Sequence, residues 1–146
     1  MPKSRQVLLG CFSVLRLVSS TACRDRAFSM SATEIQQAGA FSVSYVTAPS
    51  KDVAEKIASG LVENRLAACV NIIPGLTSIY RWKGAIEKDN EVLLMIKSPS
   101  ASLANLTTFV KSLHPYEVCE IISLPIQQGN PDYLQFLMDA TAGGKH

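Results

Sequence analysis

A chain of 146 residues, about 15.8 kDa, has room for one ordinary domain and not for two. Hydrophobic residues at 47% and charged residues at 18% exclude a wholly disordered chain. The net charge of +2 divides unevenly: the first 33 residues hold five of the 14 basic residues and one of the 12 acidic ones, leaving nine against eleven in the remainder, which lacks the basic field of a nucleic-acid binder.

Residues 1–38 read as a leader, expected to be disordered, ahead of a domain over 39–142 and a tail over 143–146. The apolar run Val7 to Val18 is shorter than the roughly 20 residues that cross a bilayer and is broken by Arg16, so no membrane span is expected. Basic residues before an apolar run, with Ser19, Ser20, Thr21, Ala22 and Cys23 after it, fit a secretory signal. Arg and Ser enrichment with a single acid fits a mitochondrial presequence. Translation from Met30 would omit the segment and leave the product in the cytoplasm.

In the body, Phe41 to Val46 alternates apolar and polar residues, the period of a strand with one buried face. Thr47-Ala48-Pro49 ends it, and Ser50 offers an N-cap for a helix to about Asn64, with Val53, Ile57, Leu61 and Ala54, Ala58, Val62 as its apolar stripe. Ala67 to Ile73 and Thr77 to Trp82 read as one long strand kinked at Pro74-Gly75. A short connection bracketed by Lys83-Gly84 and Lys88-Asp89-Asn90 leads to a buried strand from Glu91 to Lys97. Ser102 is placed to cap a second helix carrying Leu103, Leu106, Val110 and Leu113 and ending at His114-Pro115. Val118 to Leu124 is a fourth strand, and Asn130-Pro131 opens a last helix through Asp139.

The order β-α-β-β-α-β-α is an α+β arrangement, a ferredoxin-like split βαβ with an antiparallel four-stranded sheet and both main helices on one face. No element is left over to cover the other face, so association with further copies of the chain is expected to cover it, the long second and third strands reaching out to do so.

Four cysteines at 11, 23, 69 and 119 contain no C-x-x-C pair, which argues against a zinc finger or a thioredoxin-type motif. Cys69 and Cys119 fall in expected core strands, where a free thiol usually acts as a small hydrophobe. The densest donor cluster is His114 to Glu120, with an imidazole, a phenol, two carboxylates and a thiol. It suits copper, zinc or harder cations, or else His114 simply closes a helix and Tyr116 packs on the sheet. Tyr80 to Gly84 joins two aromatics to two cations near a turn, suited to a base or phosphate, or more often to a strand end at an interface. Phosphate-loop, nucleophile-elbow and zincin motifs are absent, and nothing demands an enzyme.

Leu66 to Asn71, Tyr80 to Gly84, Glu91 to Lys97 and His114 to Val118, in that order, resemble the CutA family of divalent-cation tolerance proteins over about Phe41 to Thr141. The resemblance implies a PII-like homotrimer on a ferredoxin-like fold, with strands around Tyr80 and Trp82 pairing edge to edge at the subunit interface. It implies binding of copper or another divalent cation, with Cys69, His114 and Glu117 as candidate ligands and no settled catalytic activity. In animals it also implies a link to handling of a membrane-anchored partner, acetylcholinesterase. Cys119 stands where many members have proline, and its thiol is either a further soft ligand or a space-filler. The first reading is a trimeric cation-binding protein of metal tolerance and homeostasis. The alternative is a trimeric scaffold or PII-like regulator whose clefts take a small ligand or protein partner through the Tyr80 to Gly84 block, and an enzyme comes third.

Overall fold

The computed structural model describes residues 37–143; most of the expected leader and the last three residues, with Cys11, Cys23 and His146, lie outside them. Strand β1 (Phe41–Ala48) is followed by helix α1 (Lys51–Glu63), strands β2 (Cys69–Trp82) and β3 (Ala85–Pro99), helix α2 (Leu103–Leu113), strand β4 (Ile122–Pro125) and helix α3 (Pro131–Thr141). The sheet runs β2-β3-β1-β4 with every neighbouring pair antiparallel, the ferredoxin-like arrangement expected.

Each pairing register sorts side chains onto two faces, because directly opposite residues point the same way. On one face Val46, Ala48, Val92, Leu94 and Ile96 pack with Ala54, Ile57, Ala58 and Leu61 of α1 and Leu106 and Val110 of α2, forming the main core. The expected stripe of α1 is nearly right, but Val62 is 44% exposed, since it lies at the margin of the apolar arc. Ser50 caps α1 through Val53 N–H, 3.3 Å from its hydroxyl. Gly60 lets α2 approach: a Cβ there would stand 2.6 Å from the Phe109 ring.

Four expectations are corrected. The hairpin turn is only Lys83-Gly84, both in the left-handed region (φ 45° and 92°), so 85–90 belong to β3 rather than to the connection. Ser102 makes no side-chain cap, because a 3-10 turn over Ser100–Ser102 leads into α2 instead. Strand β4 is shorter than Val118 to Leu124: it pairs with β1 only from Tyr45 back to Ser42. Beyond Tyr45 the Thr47 carbonyl accepts the His114 imidazole.

The second sheet face is also not wholly uncovered. Helix α3, capped by Asn130 through Asp132 N–H as expected, lays Leu134 and Leu137 over Phe41 and Ala68. It covers that end alone, and Ile73, Ile122 and Leu124 on the same face stay exposed at 43–51%. The kink at Pro74-Gly75 appears as a register shift between Ile73 and Leu76, with Gly75 at φ 84°. Past it, Leu76–Trp82 and Ala85–Glu91 continue as a two-stranded arm.

Candidate functional site

The arm carries its chemistry on one side. Leu76, Ser78, Tyr80 and Trp82 of β2 lie opposite Glu91, Asp89, Glu87 and Ala85 of β3, continuing the face that bears Leu93 and Thr47. Across from them runs the segment after α2, and between arm and segment lies a cleft of about 850 Å³, within the size range of small-molecule sites. Tyr80, Trp82 and Lys83 line one wall and Pro115 to Glu120 the other, with Thr47, Ser78, Asp89 and Glu91 between. The two constellations singled out in the sequence therefore meet in one place.

His114 fixes the far wall. The residue is 8% exposed, and its two ring nitrogens face different partners: Nε2 is 2.8 Å from the Thr47 carbonyl and Nδ1 accepts Tyr116 N–H at 3.1 Å. A carbonyl at one nitrogen and an N–H at the other assign the ring proton to Nε2. The ring also meets Tyr116 edge-on, centroids 5.0 Å apart.

Hydroxyls of β2 hold the acidic residues of β3. Ser78 donates to Glu91 at 2.5 Å and Tyr80 to Asp89 at 2.5 Å. The Asp89 hydrogen bond, with lesser contributions from desolvation and nearby carboxylate charge, pushes the Tyr80 phenol up to about 12. Burial, followed by the charges of Glu91 and Asp89, raises Tyr116 as well. Glu91 is 6% exposed and its carboxylate has no cation within ion-pair distance among the described residues. At the arm tip the Lys83 ammonium stands 5.5 Å from the Trp82 ring centroid.

The expected metal ligands do not come together. Glu117 and Cys119 line the cleft. His114 has both nitrogens engaged, which leaves no lone pair for a metal while the Tyr116 bond stands. Cys69 pairs with Lys97, level with Val43, so it stands two strands across from β1 and about 13 Å further along the strands than Thr47, the partner of His114. It sits instead beside Tyr133 of α3, whose phenol is raised to about 12 by burial and then by a hydrogen bond to the Cys69 thiol. Among the described residues no group of three or more His, Cys, Asp or Glu side chains is placed to hold a metal ion. Tyr80 and Trp82 are 41% and 39% exposed on the arm.

Asp89 and Glu91 were not among the residues the sequence pointed to. Their signal was the alternation Glu87, Asp89, Glu91, one face of a strand, hidden by assigning 85–90 to a connection.

A family model described as CutA1 divalent ion tolerance protein matches residues 42–140. A Xenopus laevis protein named Protein CutA homolog is 59% identical over 114 residues, 78% of this chain and 75% of that protein. The mouse Protein CutA is 56% identical over 103 residues, which are 70% of this chain and only 58% of the mouse protein. A rice protein named Protein CutA 1, chloroplastic, is 41% identical over 134 residues, 91% of this chain and 72% of that protein. The solved structure of the divalent cation tolerance protein from Thermus thermophilus superposes with a TM-score of 0.68 at 52% identity, covering 70% of this chain and 99% of that one.

Proposed function

The chain belongs to the CutA1 divalent ion tolerance family, and from that premise we propose that it works as a homotrimeric, non-catalytic divalent-cation-binding protein, with copper(II) as the leading cation. The observation that carries the reading is the shared cleft, where a thiol and carboxylates of the Pro115 to Glu120 segment face the arm. Glu117 and Cys119 are its cation-facing groups, joined by Glu120. A soft thiolate with carboxylates is compatible with copper. Among the described residues of one protomer no preformed centre exists, so the remaining ligands are taken to come from a second copy, or from His114 once its Tyr116 bond opens.

The trimer is supported by surface that one protomer leaves bare. A two-stranded ribbon is marginal alone in water, yet Ile79 and Ile86 on the arm are 68% and 62% exposed, and β2 presents a 14-residue edge. Three copies pairing edge to edge around Tyr80 and Trp82 would cover both.

Native mass measurement of the full chain with copper(II) tests this reading. A trimer that holds copper, with less held after Glu117→Gln and Cys119→Ser, is the expected result. A monomer, or copper uptake that neither substitution reduces, overturns it.

A second reading, a scaffold for a small ligand or a membrane-anchored protein partner, is favoured by the aromatic and hydroxyl walls of the same cleft. Partner capture that persists in chelator would distinguish it. Among the described residues no helix is long and apolar enough to cross a membrane, and delivery by the N-terminal segment to an organelle is the corresponding proposal for location, supported by the chloroplastic relative from rice.

A further inference from the structure

We propose that Asn105 accepts an asparagine-linked glycan as the chain enters the secretory compartment. The proposal goes beyond the cation and scaffold readings. It rests on the secretory reading of residues 1–38, whose basic residues precede an apolar run followed by small residues.

The sequence supplies one acceptor. Of its five asparagines, only Asn105 is followed two positions on by Ser or Thr with no proline between, in Asn105-Leu106-Thr107. The other four have structural tasks: Asn64 donates to the Gly60 carbonyl, Asn71 accepts from the Lys97 ammonium, Asn90 accepts from the Thr77 hydroxyl and Asn130 caps α3. Asn105, third in α2, is exposed and has no such bond among the described residues.

The fold has space for a bulky group at this position. Helix α2 buries Leu106 and Val110 in the main core, and Ala104, Asn105, Thr108 and Lys111 form its wet stripe. That stripe faces away from the sheet, whereas Ile73, Ile122, Leu124 and the cleft-lining side of the arm lie on the sheet's other face. Along the helix, nine residues, about 14 Å, separate Asn105 from His114 beside the cleft. A glycan on Asn105 therefore leaves the cleft and the proposed subunit contacts open.

The closed helix is not itself the substrate. Transfer needs the Thr107 hydroxyl turned toward the Asn105 amide, yet residues two apart on a helix stand about 200° apart and do not face each other. Modification thus precedes closure of α2, whose start is weakly secured: Ser102 makes no side-chain cap, and no acidic residue stands in the first turn. The donor class is an oligosaccharide carried on a lipid diphosphate. The amide nitrogen bonds to the anomeric carbon of the sugar, and the bond from that carbon to the diphosphate oxygen breaks. The lipid diphosphate leaves with the electron pair, and the amide gives one proton to a base of the transferase.

The test expresses the full chain in cultured animal cells and measures its intact mass and its compartment. A heavier form is expected that peptide N-glycosidase returns to the lighter mass, leaving a carboxylate at position 105. Asn105→Gln and Thr107→Ala should abolish the shift, and Thr107→Ser should keep it. An unshifted chain inside the secretory compartment overturns the glycan inference and leaves the secretory reading standing. A chain found outside that compartment overturns both. A shift that survives Asn105→Gln overturns the assignment to this residue.

Discussion

Two backbone groups meet on the His114 ring, and this gives the residue a role that needs no metal. Removing the imidazole leaves the Thr47 carbonyl without its donor and frees Tyr116 N–H at the start of the cleft wall. His114→Ala is therefore expected to lower stability by about 1–3 kcal/mol, the range for orphaning a buried polar group, measured by urea unfolding. An unchanged midpoint would show that the ring does not secure the segment. At Tyr133, the folded phenol keeps its proton to about 12 while in the unfolded chain it titrates near its ordinary 10. The sign follows: its contribution is complete below pH about 10 and is lost as pH rises toward 12. Tyr133→Phe should flatten that alkaline loss in a pH series of melting temperatures, and an unchanged slope would remove Tyr133 as its source. Residue identities in the His114 to Glu120 cluster were legible in the sequence because they are contiguous. That both imidazole nitrogens are spent on backbone was not, since Thr47 lies 67 positions away.

The elements followed the sequence where a single periodic force decided them. Alternation from Phe41 and the Ser50 cap located β1 and α1, because burial on one face and one orphan N–H suffice. They departed from it where tertiary contacts compete: β4 stops where a histidine takes its neighbour's carbonyl, and polar 85–90 enter a strand because β2 offers them a ladder. Between α1 and α2 the approach at Gly60 is close enough to test. Gly60→Ala gains helix propensity worth about 1 kcal/mol, but its Cβ would press the Phe109 ring at 2.6 Å, and overpacking costs about 1–3 kcal/mol. We expect a net loss of about 1 kcal/mol that Phe109→Leu relieves when combined with it. A Gly60→Ala protein more stable than the parent would show that the ring swings aside freely.

At the scale of the whole molecule, the sheet divides its work. One face is closed by α1 and α2, the other is closed by α3 at one end only, and the arm projects beyond both. The ferredoxin-like order was legible because element sequence alone restricts it, whereas the partial cover by α3 depends on Leu134 and Leu137 meeting Phe41, a contact no local pattern announces. In the proposed trimer the Trp82 ring would be buried against a neighbouring copy. Trp82→Ala should then weaken assembly by about 2 kcal/mol or more, seen in sedimentation as dissociation at low micromolar concentration. A trimer intact under those conditions would move Trp82 off the interface.

Strand β3 runs its 15 residues from the arm turn to Pro99, which pairs with Phe41 at the opposite pole, up to about 50 Å away. Whatever precedes Gly39 therefore joins the domain at the end remote from the cleft. The fold thus separates its point of attachment from its working end, so a dye, an affinity handle or a surface tether placed ahead of Gly39 would report on or immobilise the protein without shading the arm.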